Sequence, residues 1–210
     1  QEGCIHGIIG PNGSGKTTLF NCITGLLKPE SGSIRFNSED ITGWKPQTIA
    51  NHGIRRTFQA GKLIPGMTVI GNVMSGVNDP VGRSAREAFL RLPFVVSRRE
   101  SEIEEKAIRI LQMVGLETAA ERWASDLVWT ERQLVQIARA RLAEPRLLLL
   151  VEPASVMGAK DMEKVEDIIR NIRAMGVTIA VVRHDVKMLM NLSDWVTVLN
   201  FGQRIAEGVP

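Results

Sequence analysis

What this 210-residue sequence has little of narrows its roles first. No apolar run approaches the roughly 18 residues that a spanning helix needs, and nothing after Gln1 has the charged, apolar and small-residue regions of a secretory signal. Any membrane role is therefore expected to run through a partner, without direct insertion. Cysteine is scarce: Cys4 and Cys22 share no metal-ligand spacing and sit in apolar runs, which points to buried, reduced thiols and a cytoplasmic setting. A surplus of one charge is missing too. The 26 Lys and Arg are interleaved with 23 Asp and Glu for a net +3, too mild to argue for nucleic acid. There is no internal repeat, no low-complexity segment and no initiator methionine; the chain runs from Gln1 straight into an apolar stretch, so its N-terminus is expected to be cut.

What is present in bulk is ordinary. Hydrophobic residues make up 44% and charged residues 23%, the balance of a globular protein, and the length allows one core with a subdomain. One stretch stands apart: Ile8-Ile9-Gly10-Pro11-Asn12-Gly13-Ser14-Gly15-Lys16-Thr17-Thr18 matches G-x-x-x-x-G-K-[ST] at every fixed position. Polyphosphate must be wrapped by backbone N–H groups, and Gly10, Gly13 and Gly15 let the chain curl that tightly without a Cβ clash. Lys16 is then placed to set its ammonium against β- and γ-phosphates and Thr17 to offer a hydroxyl to Mg2+. A helix opening near Lys16 turns its positive end to the anion. Gly10 to Thr18 is the candidate nucleotide site.

Around this loop the pattern alternates. Cys4 to Ile9 reads as a buried strand, Thr17 to Leu27 as a helix with Leu19, Phe20, Ile23, Leu26 and Leu27 inward, and Ser33 to Phe36 as a short strand. Pro46 to Asn51 reads as a short helix, and Ile54 to Phe58 as a strand ending at Gln59. From 61 to 127 helical patterns replace strands: Thr68 to Met74, Ser84 to Leu92, and a run with Ile103, Ala107, Ile110, Leu111 and Val114 on one face, stopped by Gly115. Alternation resumes with a helix Thr130 to Ala143, a strand Arg146 to Val151, a helix around Val165 to Ile172, a strand Val177 to Val182 and a helix Val186 to Leu192. Trp195 to Asn200 and Gln203 to Glu207 close the chain as a strand pair. Near-continuous apolar strands separated by helices predict an α/β fold, a mostly parallel sheet covered by helices on both faces. Its core is expected in 1–60 and 128–210, with an inserted helical subdomain in 61–127.

With these elements in order, the chain resembles the ATP-binding subunits of ABC transporters, which are P-loop NTPases, and among them the subunit serving branched-chain amino acid uptake. The resemblance covers essentially the whole chain. It rests on the phosphate loop, Arg56-Thr57-Phe58-Gln59, Met67-Thr68-Val69, Glu131-Arg132-Gln133 through Arg139-Ala140, Leu147 to Pro153, Arg183-His184-Asp185, and Asn200-Phe201-Gly202-Gln203-Arg204-Ile205-Ala206-Glu207-Gly208. It implies ATP and Mg2+ as cofactors, with Gln59 touching metal and attacking water, Glu152 polarising that water and His184 contacting the γ-phosphate. It also implies a head-to-tail dimer with a homologous ATP-binding subunit, transmembrane permease subunits as partners, and a place at the inner face of the membrane.

The chain departs from the family where chemistry is concerned. The acid expected before the catalytic Glu is Val151, which cannot hold water on a metal. The signature loop, L-S-G-G-Q in the family, reads Leu127-Val128-Trp129-Thr130-Glu131, and the segment after Glu152 reads Ala154-Ser155-Val156-Met157. The aromatic ring that stacks on adenine ahead of the loop has no counterpart in Gln1 to Ile9 except the imidazole of His6. Strands that would pair near Ser33 to Phe36 are missing as well, which predicts an exposed edge.

Each change has a folding logic. Val151 extends an apolar strand, and Thr130-Glu131-Arg132-Gln133 spells the capping box T-x-x-Q, which would turn the threonine oxygen to the helix's own N–H groups. Hydrogen bonds to charged groups contribute about 1.5–3 kcal/mol, so losing the metal-shell Asp or the signature Ser costs about ten- to a hundredfold each. The intact loop still holds polyphosphate. The expectation is ATP binding with weak or absent turnover; the alternative is a nucleotide-binding, non-hydrolysing regulatory protein. A P-loop kinase is disfavoured by Phe58-Gln59 and by Glu131-Arg132-Gln133.

Overall fold

The structure is a computed structural model that describes residues 2–57, 63–77, 93–151, 158–183 and 185–210. Its strands are β1 (Ile5–Ile9), β2 (Arg35–Phe36), β3 (Glu39–Asp40), β4 (Ile54–Arg56), β5 (Leu147–Val151), β6 (Thr178–Val182), β7 (Trp195–Asn200) and β8 (Gln203–Gly208). Its α-helices are α1 (Lys16–Ile23), α2 (Pro46–Asn51), α3 (Val69–Met74), α4 (Pro93–Val114), α5 (Trp129–Leu142), α6 (Ala159–Ala174) and α7 (Val186–Leu192). The expected helix Ser84 to Leu92 lies outside the described residues.

The apolar strands assemble into one sheet of order β4-β5-β6-β1-β7-β8. β1 is parallel to β6 on one side, Ile5 to Ile8 against Ile179 to Val182, and to β7 on the other, His6 to Ile9 against Trp195 to Val198. β8 returns antiparallel to β7. Successive residues of a strand face opposite sides, and β1 shows it. Ile8 joins Leu149, Val151, Val182 and Leu199 in an apolar cluster with Phe20 of α1 and Ile49 of α2. Gly7, on the other face, leaves no room for a Cβ because Leu189 of α7 sits against it. Helices therefore cover both faces of a mostly parallel sheet, as the alternating pattern predicts. β2 pairs with β3 as a separate two-stranded ladder.

The chain divides into two compact units, Gln1–Ala60 with Pro145–Pro210, and Gly61–Glu144. This division and the sequence-based one at 127 differ by α5, whose Leu134, Val135, Ile137 and Ala138 are buried and which packs on α3 and α4. Within the second unit Thr68 caps α3 by accepting the Gly71 N–H at 3.2 Å. The fully buried Asn72 accepts the Ile64 N–H at 2.7 Å and donates to the Ile64 carbonyl at 3.0 Å. Among the described residues no helix is long and apolar enough to cross a membrane.

One helix is shorter than its apolar pattern. α1 ends at Ile23 because Gly25 turns the chain with φ +71°, at a point where any Cβ would strike the Trp44 carbonyl oxygen. Leu26 and Leu27, expected inward, fall beyond the helix and are 53% and 45% exposed, and Leu19 is exposed as well. Phe20, with Ile23 beside it, carries the inward face.

Candidate nucleotide site

The phosphate loop leaves the middle of the sheet at the end of β1 and enters α1 at Lys16. Gly15 is the N-cap, in left-handed backbone at φ +97° and ψ +2°, and Gly13 is left-handed at φ +79°. Those two glycines are dictated by conformation. Gly10 is dictated by space, since a Cβ there would collide with the Leu199 carbonyl oxygen. Lys16 is only 6% exposed, and its Nζ donates to the carbonyls of Gly10 and Pro11, each at 2.8 Å, and to Ser14 Oγ at 3.3 Å. The Ser14 N–H closes the loop onto the Pro11 carbonyl at 3.1 Å, while Gly202, in the β7–β8 turn, donates its N–H to the Ser14 carbonyl at 3.1 Å. Pro11, Asn12, Gly13, Thr17 and Thr18 are exposed along the outer side.

This arrangement fits an anion. A helix leaves its first-turn N–H groups without intrahelical acceptors, and no side chain caps α1. A lysine ammonium and two left-handed glycines converge on the same end, where the helix dipole is positive. For Mg2+ the fit is partial. Thr17 is exposed in the first turn, but the described residues contain no group of three or more His, Cys, Asp or Glu side chains able to hold a metal.

Gln59, Glu152 and His184 lie outside the described residues, as does 153–157. The strands that lead to them are described: β4, β5 and β6 are consecutive neighbours on one side of β1. Two side chains fasten these strand ends. Thr57, 3% exposed, donates its N–H to the Leu149 carbonyl at 2.9 Å and accepts the Val151 N–H on Oγ1 at 3.2 Å. Arg56 donates Nη1 to Asn21 Oδ1 on α1 at 2.6 Å, and its guanidinium carbon lies 5.8 Å from the centre of the Phe20 ring. Partial burial holds the Arg56 pKa below the ordinary guanidinium value. Val151 itself is buried among Ile8, Phe20, Leu149 and Val182, so its side chain fills core and offers no ligand atom.

At the altered signature the structure corrects the expected cap. Val128, not Thr130, is the N-cap of α5, at φ −71° and ψ 163°, which makes Thr130 the second helical residue. Valine has no acceptor, so the outgoing half of a capping box cannot form. The returning half does: the Val128 N–H donates to Glu131 Oε2 at 3.0 Å. Glu131 Oε1 accepts from Arg122 Nη1 at 2.9 Å. Arg132 donates Nε to the Leu127 carbonyl at 2.9 Å and Nη2 to the Ser125 carbonyl at 3.0 Å. Gln133, expected to close the box, is buried and accepts from Gln136 instead. A carboxylate thus occupies the positive end of α5. The signal was in the sequence, a Glu three residues after Val128, whereas Arg122 and Asn21 gave none because their partners are distant in sequence.

A parallel α/β sheet with a glycine-lined phosphate loop at the end of a central strand defines a nucleotide-binding fold. Comparison with known proteins carries this further. The family model described as ABC transporter matches residues 1–155, and the chain belongs to that family. It is 36% identical over 211 residues to the high-affinity branched-chain amino acid transport ATP-binding protein LivG of Salmonella typhimurium, covering 100% of this chain and 82% of that protein. It is 35% identical to BraF of Pseudomonas aeruginosa, a protein of the same description, with the same coverage. Among solved structures, a nucleotide-free ATP-binding cassette from an ABC transporter superposes with a TM-score of 0.85 at 32% identity, covering 100% of this chain and 81% of that one. A dimeric ATP-binding cassette in a post-hydrolysis state, bound to ADP and phosphate, superposes with a TM-score of 0.80 at 26% identity, covering 100% and 86%.

Proposed function

We propose that this chain is the ATP-binding subunit of a transporter for branched-chain amino acids, that it binds ATP on Gly10 to Thr18, and that it turns ATP over weakly or not at all. The observation that carries the binding half is the uncapped start of α1, with Lys16 and two left-handed glycines gathered at it. Similarity along the whole chain to LivG and BraF supports the transport role. Lys16 neutralises β- and γ-phosphate charge, and the first-turn N–H groups of α1 hold phosphate oxygens. Thr17 and Gln59 are the proposed Mg2+ ligands, Glu152 the group that orients and polarises water, and His184 the contact to the γ-phosphate. The chain works as a head-to-tail dimer with a homologous subunit, docked on permease subunits at the inner face of the membrane; the dimeric cassette that it resembles supports the pairing.

The turnover half follows from two observations. Val151 presents only core-packed carbon where the family has its metal-shell acid. Glu131 places a carboxylate at the start of α5, where the family offers N–H groups and a serine to the partner's γ-phosphate. One change weakens the site on this chain's own loop and the other the site across the dimer. The same observations favour, as a second reading, a nucleotide-gated regulatory subunit without hydrolysis. ATP affinity, phosphate release and solute uptake, measured together in the assembled complex, separate the two: ATP-dependent uptake with slow release supports the transporter subunit, ATP binding with neither uptake nor release supports the regulator, and rapid release contradicts the turnover claim.

A further inference from the structure

The phosphate loop is seated against the β7–β8 turn, backbone on backbone. β1 and β7 are parallel neighbours with Ile9 opposite Val198, so the loop leaves the sheet beside the end of β7. There the Leu199 carbonyl fills the space in which Gly10 would carry a Cβ, and Gly202 Cα lies 3.5 Å from where a Cβ on Gly15 would stand. Between these contacts the Gly202 N–H donates to the Ser14 carbonyl at 3.1 Å.

The hairpin does not need that N–H for itself. Asn200 pairs with Gln203, so Phe201 and Gly202 form a two-residue loop, and both have positive φ, +45° and +77°. Such a loop is closed by its flanking pair. The N–H of its second residue is left over, and here it goes to the phosphate loop.

The bond sets the direction of one peptide in that loop. A trans peptide is planar, with its C=O and N–H pointing opposite ways. Drawing the Ser14 carbonyl to the hairpin therefore turns the Gly15 N–H away from it. Gly15 is the N-cap of α1, in left-handed backbone and with no side-chain cap, and glycine leaves this peptide free to rotate. The other side of Ser14 is already committed, since its own N–H donates to the Pro11 carbonyl at 3.1 Å and the residue is 1% exposed. What remains to be fixed is the Ser14–Gly15 peptide, and the hairpin fixes it.

We propose that Gly202 is a positioning residue for the bound anion: through the Ser14 carbonyl it holds the Gly15 N–H toward the phosphates at the start of α1. This rests on the nucleotide reading above and adds to it the element that shapes the loop in advance. The effect belongs to the phosphates, so ATP and inorganic tripolyphosphate should depend on it alike.

The test replaces the Gly202 amide by an ester in the full chain, which removes the N–H and keeps every side chain. By titration calorimetry, affinity for ATP and for tripolyphosphate should fall together by about two- to tenfold, the equivalent of one hydrogen bond. Phe201→Asn keeps the Gly202 N–H in a favoured Asn-Gly turn and should bind both as wild type does. In the unaltered protein, tripolyphosphate should slow amide hydrogen exchange at Gly202, because coupling between two sites is reciprocal. A bond that serves only the fold would lower the unfolding temperature of the ester protein and leave affinity and Gly202 exchange unmoved. That result overturns the proposal while the phosphate site stands, as does a loss for ATP alone or an equal loss in Phe201→Asn. Wild-type protein that binds neither ligand overturns the nucleotide reading and the proposal with it.

Discussion

Thr57 Oγ1 accepts the Val151 N–H at 3.2 Å, so one buried hydroxyl joins the residue two before Gln59 to the residue just before Glu152. Thr57→Val keeps the shape and strands the Val151 N–H. The expected cost is about 1–3 kcal/mol, the usual penalty for an unsatisfied buried donor, read from urea unfolding. Thr57→Ser should recover most of it, and a Thr57→Val protein as stable as wild type would show that this bond holds nothing.

Lys16 is tied to three loop oxygens at 2.8 to 3.3 Å and brings the loop's own positive charge. Lys16→Ala should lower ATP affinity by about a hundredfold, the equivalent of about 3 kcal/mol for a charged hydrogen-bond partner. Circular dichroism should stay unchanged. An affinity within twofold of wild type would move the nucleotide away from this loop.

Glu131 closes the start of α5 against the Val128 N–H and Arg122. Glu131→Ala should destabilise the protein by about 1 kcal/mol, the typical effect of a lost helix cap. Glu131→Gln should cost less, because it keeps an acceptor for Val128 and loses only an ion pair whose Arg122 side chain is 45% exposed. Thermal unfolding distinguishes the two, and equal losses would assign the stabilisation to the ion pair.

The outline of the fold was legible because the apolar strands Ile5–Ile9, Leu147–Val151 and Thr178–Val182 are nearly continuous and alternate with helices. The phosphate loop was legible because glycine at φ +79° and +97° leaves a signature in residue type. What failed to show were decisions made by distant neighbours. α1 stops where the Trp44 carbonyl crowds Gly25; the N-cap of α5 at Val128 was legible in Glu131, three residues on, and only the Arg122 that holds Glu131 was not. The unit boundary differs for the same reason: α5 reads as a continuation of the α/β alternation but packs on α3 and α4. Local pattern predicts an element; its ends and its allegiance depend on tertiary contacts.

His6 supplies a pH prediction. Burial, opposed by the carboxylate of Glu207, holds its pKa below the ordinary 6.5. The unfolded chain therefore takes up this proton at higher pH than the folded one. The stabilisation is fully present above about 6.5 and is lost as pH falls through that value toward the lower folded one. His6→Gln should flatten the slope of unfolding free energy between about pH 7.5 and pH 5.5 relative to wild type. An identical slope would mean that His6 titrates in the folded protein as it does in water.

On the proposed function, binding and turnover part company at Val151, Val128 and Thr130. The most direct test is steady-state phosphate release by the assembled complex, for wild type and for the triple variant Val151→Asp, Val128→Ser, Thr130→Gly, at saturating ATP and Mg2+. Wild type should bind ATP yet release phosphate slowly or not at all, and the triple variant should be faster by orders of magnitude. A wild-type rate that the three substitutions leave unchanged would contradict the account.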